Sequence, residues 1–112
     1  MIELILLNYL SEKLQVNVYT EKPSNPPHSY VLIDKTGSGK VNHLPDATVA
    51  FQSYADTKYN AALLNEEVKT AVEQMADELH EIRGVTLNGD YPFTDVQTKS
   101  YRYQAVYDIR YY

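Results

Sequence analysis

From Ile2 to Leu14 the apolar residues return at steps of three and four: Ile2, then Ile5 and Leu6, then Tyr9 and Leu10, then Leu14. Glu3, Asn8, Ser11 and Glu12 fill much of the other side, so the spacing predicts an amphipathic helix. Val16-Asn17-Val18-Tyr19 predicts a short strand after it. Lys22-Pro23-Ser24-Asn25-Pro26-Pro27-His28 carries three prolines, which forbid a helix and stop ladder pairing, so a loop is expected there. Tyr30-Val31-Leu32-Ile33-Asp34-Lys35 is apolar on both faces in its middle and predicts a strand inside a sheet. Thr36-Gly37-Ser38-Gly39-Lys40 and Asn42-His43-Leu44-Pro45-Asp46 predict one long, exposed, mobile connection. Thr48 to Tyr54 predicts the next strand.

Asp56 or Thr57 is placed to cap a second helix running to about His80. Its apolar stripe is Leu64, Val68, Ala71 and Val72, Met75 and Leu79. Glu66, Glu67, Lys69, Glu73, Gln74 and Asp77 cover the solvent side. At 1.5 Å rise per residue such a helix spans on the order of 35 Å, enough to cross a small sheet. Beyond Gly84, Val85-Thr86-Leu87 predicts a short strand, Asn88-Gly89-Asp90 a turn, and Tyr91-Pro92-Phe93-Thr94-Asp95 a loop. From Ser100 to Tyr112 the pattern alternates strictly. Tyr101, Tyr103, Ala105, Tyr107, Ile109 and Tyr111 point one way. Arg102, Gln104, Asp108 and Arg110 point the other, with Val106 the exception. Such alternation belongs to an antiparallel sheet covered on one face. The fold expected is therefore α+β: a mostly antiparallel, twisted sheet of four to five strands with two helices packed on one face and the other face open.

The chain has 112 residues, enough for one domain spanning 1–112 and one core. Eleven tyrosines and no tryptophan suit half-buried strands and subunit contacts. The absence of cysteine excludes disulfides, thiolate catalysis and cysteine zinc sites, and agrees with assembly in a reducing cytosol. A net charge of −5 gives no overall pull toward DNA phosphates or anionic lipid. Leu4-Ile5-Leu6-Leu7 is too short and too soon broken for a signal or a membrane span, so a soluble, unprocessed protein without membrane contact is expected.

The chain offers little chemistry. Thr36-Gly37-Ser38-Gly39-Lys40 looks like half a phosphate loop, but Asp34 and Val41 stand where that motif needs glycine and a magnesium-binding hydroxyl. His28, His43 and His80 share no metal-ligand spacing. Glu66-Glu67, Asp77-Glu78 and Glu81 read as a solvated helix face rather than a paired-carboxylate site. No catalytic residue, metal or cofactor is expected, and the reading is of a protein that docks rather than reacts.

Several blocks carry a family resemblance. Tyr30 to Lys40, Phe51-Gln52-Ser53-Tyr54-Ala55 with Leu64-Asn65-Glu66-Glu67-Val68-Lys69, Tyr91-Pro92-Phe93-Thr94-Asp95, and Lys99 to Asp108 follow one another in order over most of the chain. Together they resemble the tail terminator, also called the tail completion or tail-to-head joining protein, of long-tailed phages infecting Gram-positive bacteria. The resemblance implies a helix–sheet–helix α+β fold and a homohexameric ring, formed at high concentration or on the tube. The ring would cap the tail tube, end its polymerisation and dock the head connector. The implied partners are copies of the chain, the major tail tube protein and a head-closure protein, with DNA only passing through the bore. The implied location is the head-proximal end of the tail in the virion, after assembly in the host cytoplasm. The resemblance transfers no catalytic residues. Contact residues are expected on the last strand at Tyr101, Arg102, Tyr103, Gln104, Tyr107 and Arg110, and in the connection at Lys40, Asn42 and His43. Core packing and an unpartnered loop are the plainer readings of the two groups. Another junction ring protein (head-closure or adaptor) and a small monomeric or dimeric regulatory domain remain as alternatives.

Overall fold

The computed structural model describes residues 2–41, 44–94 and 101–112. The order is α1 (Ile2–Lys13), β1 (Asn17–Tyr19), β2 (Tyr30–Val41), β3 (Leu44–Ala55), α2 (Lys58–Glu78), β4 (Ile82–Pro92) and β5 (Tyr101–Tyr111). The strands form one sheet in the order β1-β2-β3-β5-β4. Only β1 and β2 run parallel; the other three pairings are antiparallel. Both helices pack on one face, so the chain is an α+β domain with a five-stranded, mostly antiparallel sheet.

The helices form where the apolar spacing puts them. α2 starts at Thr57, whose side chain accepts a hydrogen bond from the Asn60 backbone N–H at 3.0 Å and satisfies one orphan donor of the first turn. Its buried stripe is Ala61, Leu64, Asn65, Val68, Ala71, Val72 and Met75. α1 buries Ile2, Leu6, Tyr9 and Leu10 against the same core. From the sheet come Val31 and Ile33 of β2, Ala47, Val49 and Phe51 of β3, and Ala105, Tyr107 and Ile109 of β5. Phe51 and Tyr107 meet edge to face at 6.0 Å between ring centroids. Burying one such aromatic is worth about 1.5–3 kcal/mol from area alone.

Polar links lock each helix to its neighbours. The Tyr9 hydroxyl donates to the Glu78 carboxylate, and Lys13 Nζ lies 2.7 Å from Glu78 Oε1, so the ends of α1 and α2 are tied together. Lys13 and Tyr9 hold the Glu78 carboxyl below its ordinary range. Asn65 donates to Asp90 at 2.8 Å and Lys69 donates to the other Asp90 oxygen, which fixes β4 under α2. That contact holds the Lys69 ammonium above its usual value.

Two expected loops are strand. Gly37–Asp46 was expected as one long connection, but β2 runs to Val41 and β3 starts at Leu44, with Gly37 facing Thr48 and Gly39 facing Asp46. A bulge between Lys35 and Gly37 absorbs the register change. Glycine weakens a strand only modestly, and the ladder that pairs the inner edge of β2 with β3 outweighs that cost. Likewise Asn88-Gly89-Asp90 is not a turn and Tyr91-Pro92 is not loop. β4 passes through all of them, with bulges between Ile82 and Gly84 and between Leu87 and Gly89. Pro92 sits at the end of this edge strand, where a missing N–H is tolerated. The proline-rich stretch after β1 is irregular up to Ser29, as its prolines dictate.

Phe51→Ala is expected to cost about 3–5 kcal/mol in urea unfolding, since Phe51 is fully buried. A second measurement concerns pH. Burial, then the hydrogen bond to Glu73, holds the Tyr107 hydroxyl well above its ordinary value of 10.0; burial and Glu78 do the same for Tyr9. A raised phenol contributes stability that is whole below the unfolded-chain pKa and is lost as pH rises beyond it. Urea midpoints should therefore fall once pH passes about 10, and Tyr107→Phe should flatten that fall.

Candidate functional site

The face of the sheet away from the helices is uncovered by any helix among the described residues. Register alone builds it. Directly opposed residues share a face, so the rows run Tyr30–Tyr54–Arg102, Leu32–Gln52–Gln104–Tyr91, Asp34–Ala50–Val106–Gly89, Gly37–Thr48–Asp108–Thr86 and Gly39–Asp46–Arg110–Gly84. The alternation of β5 carries its polar residues here, and Val106 lies beside Ala50 in the central row.

Side chains stitch the strands together across this face. Tyr30 and Tyr54 stack at 4.4 Å and are only 5% and 6% exposed, and Tyr19 meets Tyr30 edge on at 5.8 Å. Arg102 lies over the Tyr54 ring at 5.4 Å and the Phe93 ring at 4.2 Å. Its Nη1 donates to the Tyr54 hydroxyl and its Nε to the Phe93 carbonyl, both at 2.8 Å. Tyr54 then donates to Gln52, Gln52 to Gln104, and Gln104 to Tyr91, at 3.1, 2.9 and 2.8 Å. The chain of contacts therefore crosses β2, β3, β5 and β4. Lower down, Thr48 donates to Asp108 at 2.9 Å and Arg110 to Thr86 at 3.1 Å. Burial pushes the Tyr30 hydroxyl above its ordinary value, with Tyr54 adding to the effect and Arg102 opposing it.

The four glycines of the chain all occupy this face, two on β2 and two on β4. At Gly84 a Cβ would stand 2.7 Å from the Arg110 guanidinium, the far end of a flexible side chain that would have to shift aside. The lower half of the face is therefore low and polar, while the upper half is walled by aromatic rings. A recess of about 260 Å³ sits beside Tyr30 and Tyr54, lined also by Pro26, Pro27 and His28, with His28 Nδ1 3.0 Å from Asp56 Oδ1.

The expected contact residues separate. Arg102, Gln104 and Arg110 lie together on the open face. Tyr101 and Tyr103 are half-buried and face the helix side, opposite Ala55 and Ser53. Tyr107 is a correction: it is 0% exposed and donates to Glu73 at 2.6 Å, so it belongs to the core and offers no contact surface. Lys40 is exposed near the end of β2; Asn42 and His43 lie outside the described residues. Thr36 to Lys40 is strand, with backbone groups directed at β3, so it does not have the form of a phosphate cradle before a helix. Among the described residues no group of three or more His, Asp or Glu side chains is placed to hold a metal ion, and no helix is long and apolar enough to cross a membrane. Tyr30, Gln52, Tyr54, Tyr91 and Phe93 were not singled out from sequence as partners of Arg102. The shared parity of Thr48, Ala50, Gln52 and Tyr54 was the signal that could have found three of the site's positions.

Arg102→Ala should cost about 1–2 kcal/mol in urea unfolding, because it removes two hydrogen bonds and two ring contacts. Arg102→Lys should restore little of it, since an ammonium cannot stack on a ring face and serve both acceptors at once. No protein-family model matches the chain, and no curated protein is detectably similar to it.

Proposed function

We propose that this chain is a tail-terminator-like structural subunit, which assembles into a ring on the end of a phage tail tube and presents a surface to the head connector. The open sheet face carries this reading. It is broad, polar and aromatic, and its side chains are already fixed by one another, so docking orders few of them and costs little entropy. Arginine and tyrosine are the residue types that anchor protein contacts most often. The described site chemistry is that of recognition: rings, amides and guanidinium groups rather than a paired acid and base in a closed pocket. The ordered resemblance of the sequence blocks to tail terminators supplies the specific partner.

A ring also makes physical sense of a small subunit. Each contact with a tube end is modest, but repetition around a symmetric collar multiplies it. Acidic residues facing the bore would keep DNA from adhering over roughly 8 Å at physiological salt.

The test is assembly on tails. The wild-type chain should co-purify with headless tails and end tube growth at a defined length. The double variant Arg102→Ala, Arg110→Ala should fold but lose that association by at least about tenfold, the equivalent of 1.4 kcal/mol. Normal tail completion by the variant would remove the open face from the interface. Association with DNA-filled heads instead of tails would turn the assignment to a head-closure protein.

A further inference from the structure

Among the described residues the sheet ends in two free edges of different kinds. β1 is only three residues long and covers β2 only at Tyr30–Leu32, so the outer edge of β2 from Ile33 onward is unpaired among the described residues. At the far side, β4 is an edge strand of 11 residues. Between Gly84 and Gly89 it has no charged side chain and no proline, features that ordinarily keep an edge from pairing. It also exposes Leu87, which is 44% accessible.

Beside the free part of β2 lies a recess of about 380 Å³, bounded by Glu3, Leu4 and Leu7 of α1, by Thr20 and Glu21, and by Ile33 to Lys35. Leu4 stands 50% exposed at its margin. Glu3 Oε1 is buried there with no hydrogen-bond partner among the described residues, while its other oxygen lies 3.4 Å from Lys35 Nζ. The recess lies on the helix side of the sheet. Leu87, opposite Tyr107, also lies on the helix side. One edge thus offers an apolar knob and the other a recess with Leu4, Leu7 and Ile33 on one wall and a polar rim of Glu3, Thr20, Glu21, Asp34 and Lys35, both on the same layer.

We infer that β4 of one copy of this chain adds to the free edge of β2 in the next, with Gly84–Leu87 running antiparallel beside Ile33–Thr36 and Leu87 entering the recess beside Leu4, Leu7 and Ile33. Strand direction fixes the sense of the join. β2 and β5 run the same way and β3 and β4 the other, so a neighbour in the same orientation brings its β4 antiparallel to β2. Its helices stay on the same side. The bulges between Lys35 and Gly37 on β2 and between Leu87 and Gly89 on β4 end the regular pairing and keep it short. Because the two edges differ, the contact is head to tail, and head-to-tail contacts close into rings when the rotation allows. A join of about four residues is smaller than the roughly 1,200 Å² that a stable pair buries. Dilute protein is therefore monomeric, and the ring forms at high concentration or on a tube end. This inference rests on the ring reading above and says which surfaces make it.

The chain has no cysteine, so introduced thiols are unique. Leu4→Cys and Leu87→Cys variants, both at exposed positions, are mixed at high concentration and treated with a short bis-maleimide. A cross-linked dimer should appear in the mixture and in neither variant alone. The doubly substituted chain should give a ladder that ends at the ring. Leu87→Glu should leave the thermal midpoint within a few degrees of wild type and abolish the multi-subunit mass. Cross-linking of Leu87→Cys to itself would mean symmetric edge pairing and overturn the inference. So would multi-subunit particles of the wild type alongside mixed cysteine variants that give no cross-link, while leaving the ring reading intact. Failure to associate at any concentration or on tail tubes would end both.

Discussion

Ten consecutive residue pairs join β3 to β5, from Asp46 opposite Arg110 to Ala55 opposite Tyr101, without a bulge. The rest of the molecule depends on this ladder. A slip of one residue would send Tyr107 and Ile109 into solvent and Arg102 and Arg110 into the core. The register therefore sets both faces at once. It puts Phe51 against Tyr107 under α2, and it puts Tyr54 against Arg102 on the open side. Core and candidate site are two consequences of one pairing.

The two faces achieve order by different means. On the helix side the ordering force is burial, supplemented by hydrogen bonds from Tyr9, Tyr107 and Asn65 to carboxylates. On the open side, outside the buried Tyr30–Tyr54 pair, water competes for the polar groups. Order there comes from mutual restraint: two rings stack, a guanidinium lies over the Tyr54 and Phe93 rings, and amides pass hydrogen bonds from strand to strand. Such a surface is presented already in shape. That suits a subunit whose proposed work is to fit against repeated partners, because little entropy remains to be lost on contact. The edges complement this picture, since among the described residues they are the parts of the sheet whose backbone groups are still unpaired.

How much was legible follows from the length of each signal. α1, α2 and β5 were readable because their periods run over three or more turns or over eleven residues of alternation. Arg102, Gln104 and Arg110 were correctly put on one face for the same reason. Tyr107 shares the opposite parity and was still expected at a contact, because tyrosine suits both cores and interfaces. The glycine-bearing halves of β2 and β4 read as loop and turn, since glycine and asparagine are turn residues in isolation. Their strand form is dictated by neighbours far away in the chain, β3 for one and β5 for the other.

The sequence alone determined what each segment could bury, because hydrophobic spacing is a local property: two helices with an apolar stripe, a one-sided last strand, and a proline-rich break. It also limited the chemistry, through the absence of cysteine and of any complete motif. Only the tertiary structure decided which strands adjoin, and so which side chains meet. Tyr30, Gln52, Tyr54, Arg102 and Tyr91 are separated by up to seventy-two positions and touch only because β3 is held between β2 and β5. Pairing of distant strands is a matter of backbone hydrogen bonds and register, which no local pattern of side chains encodes.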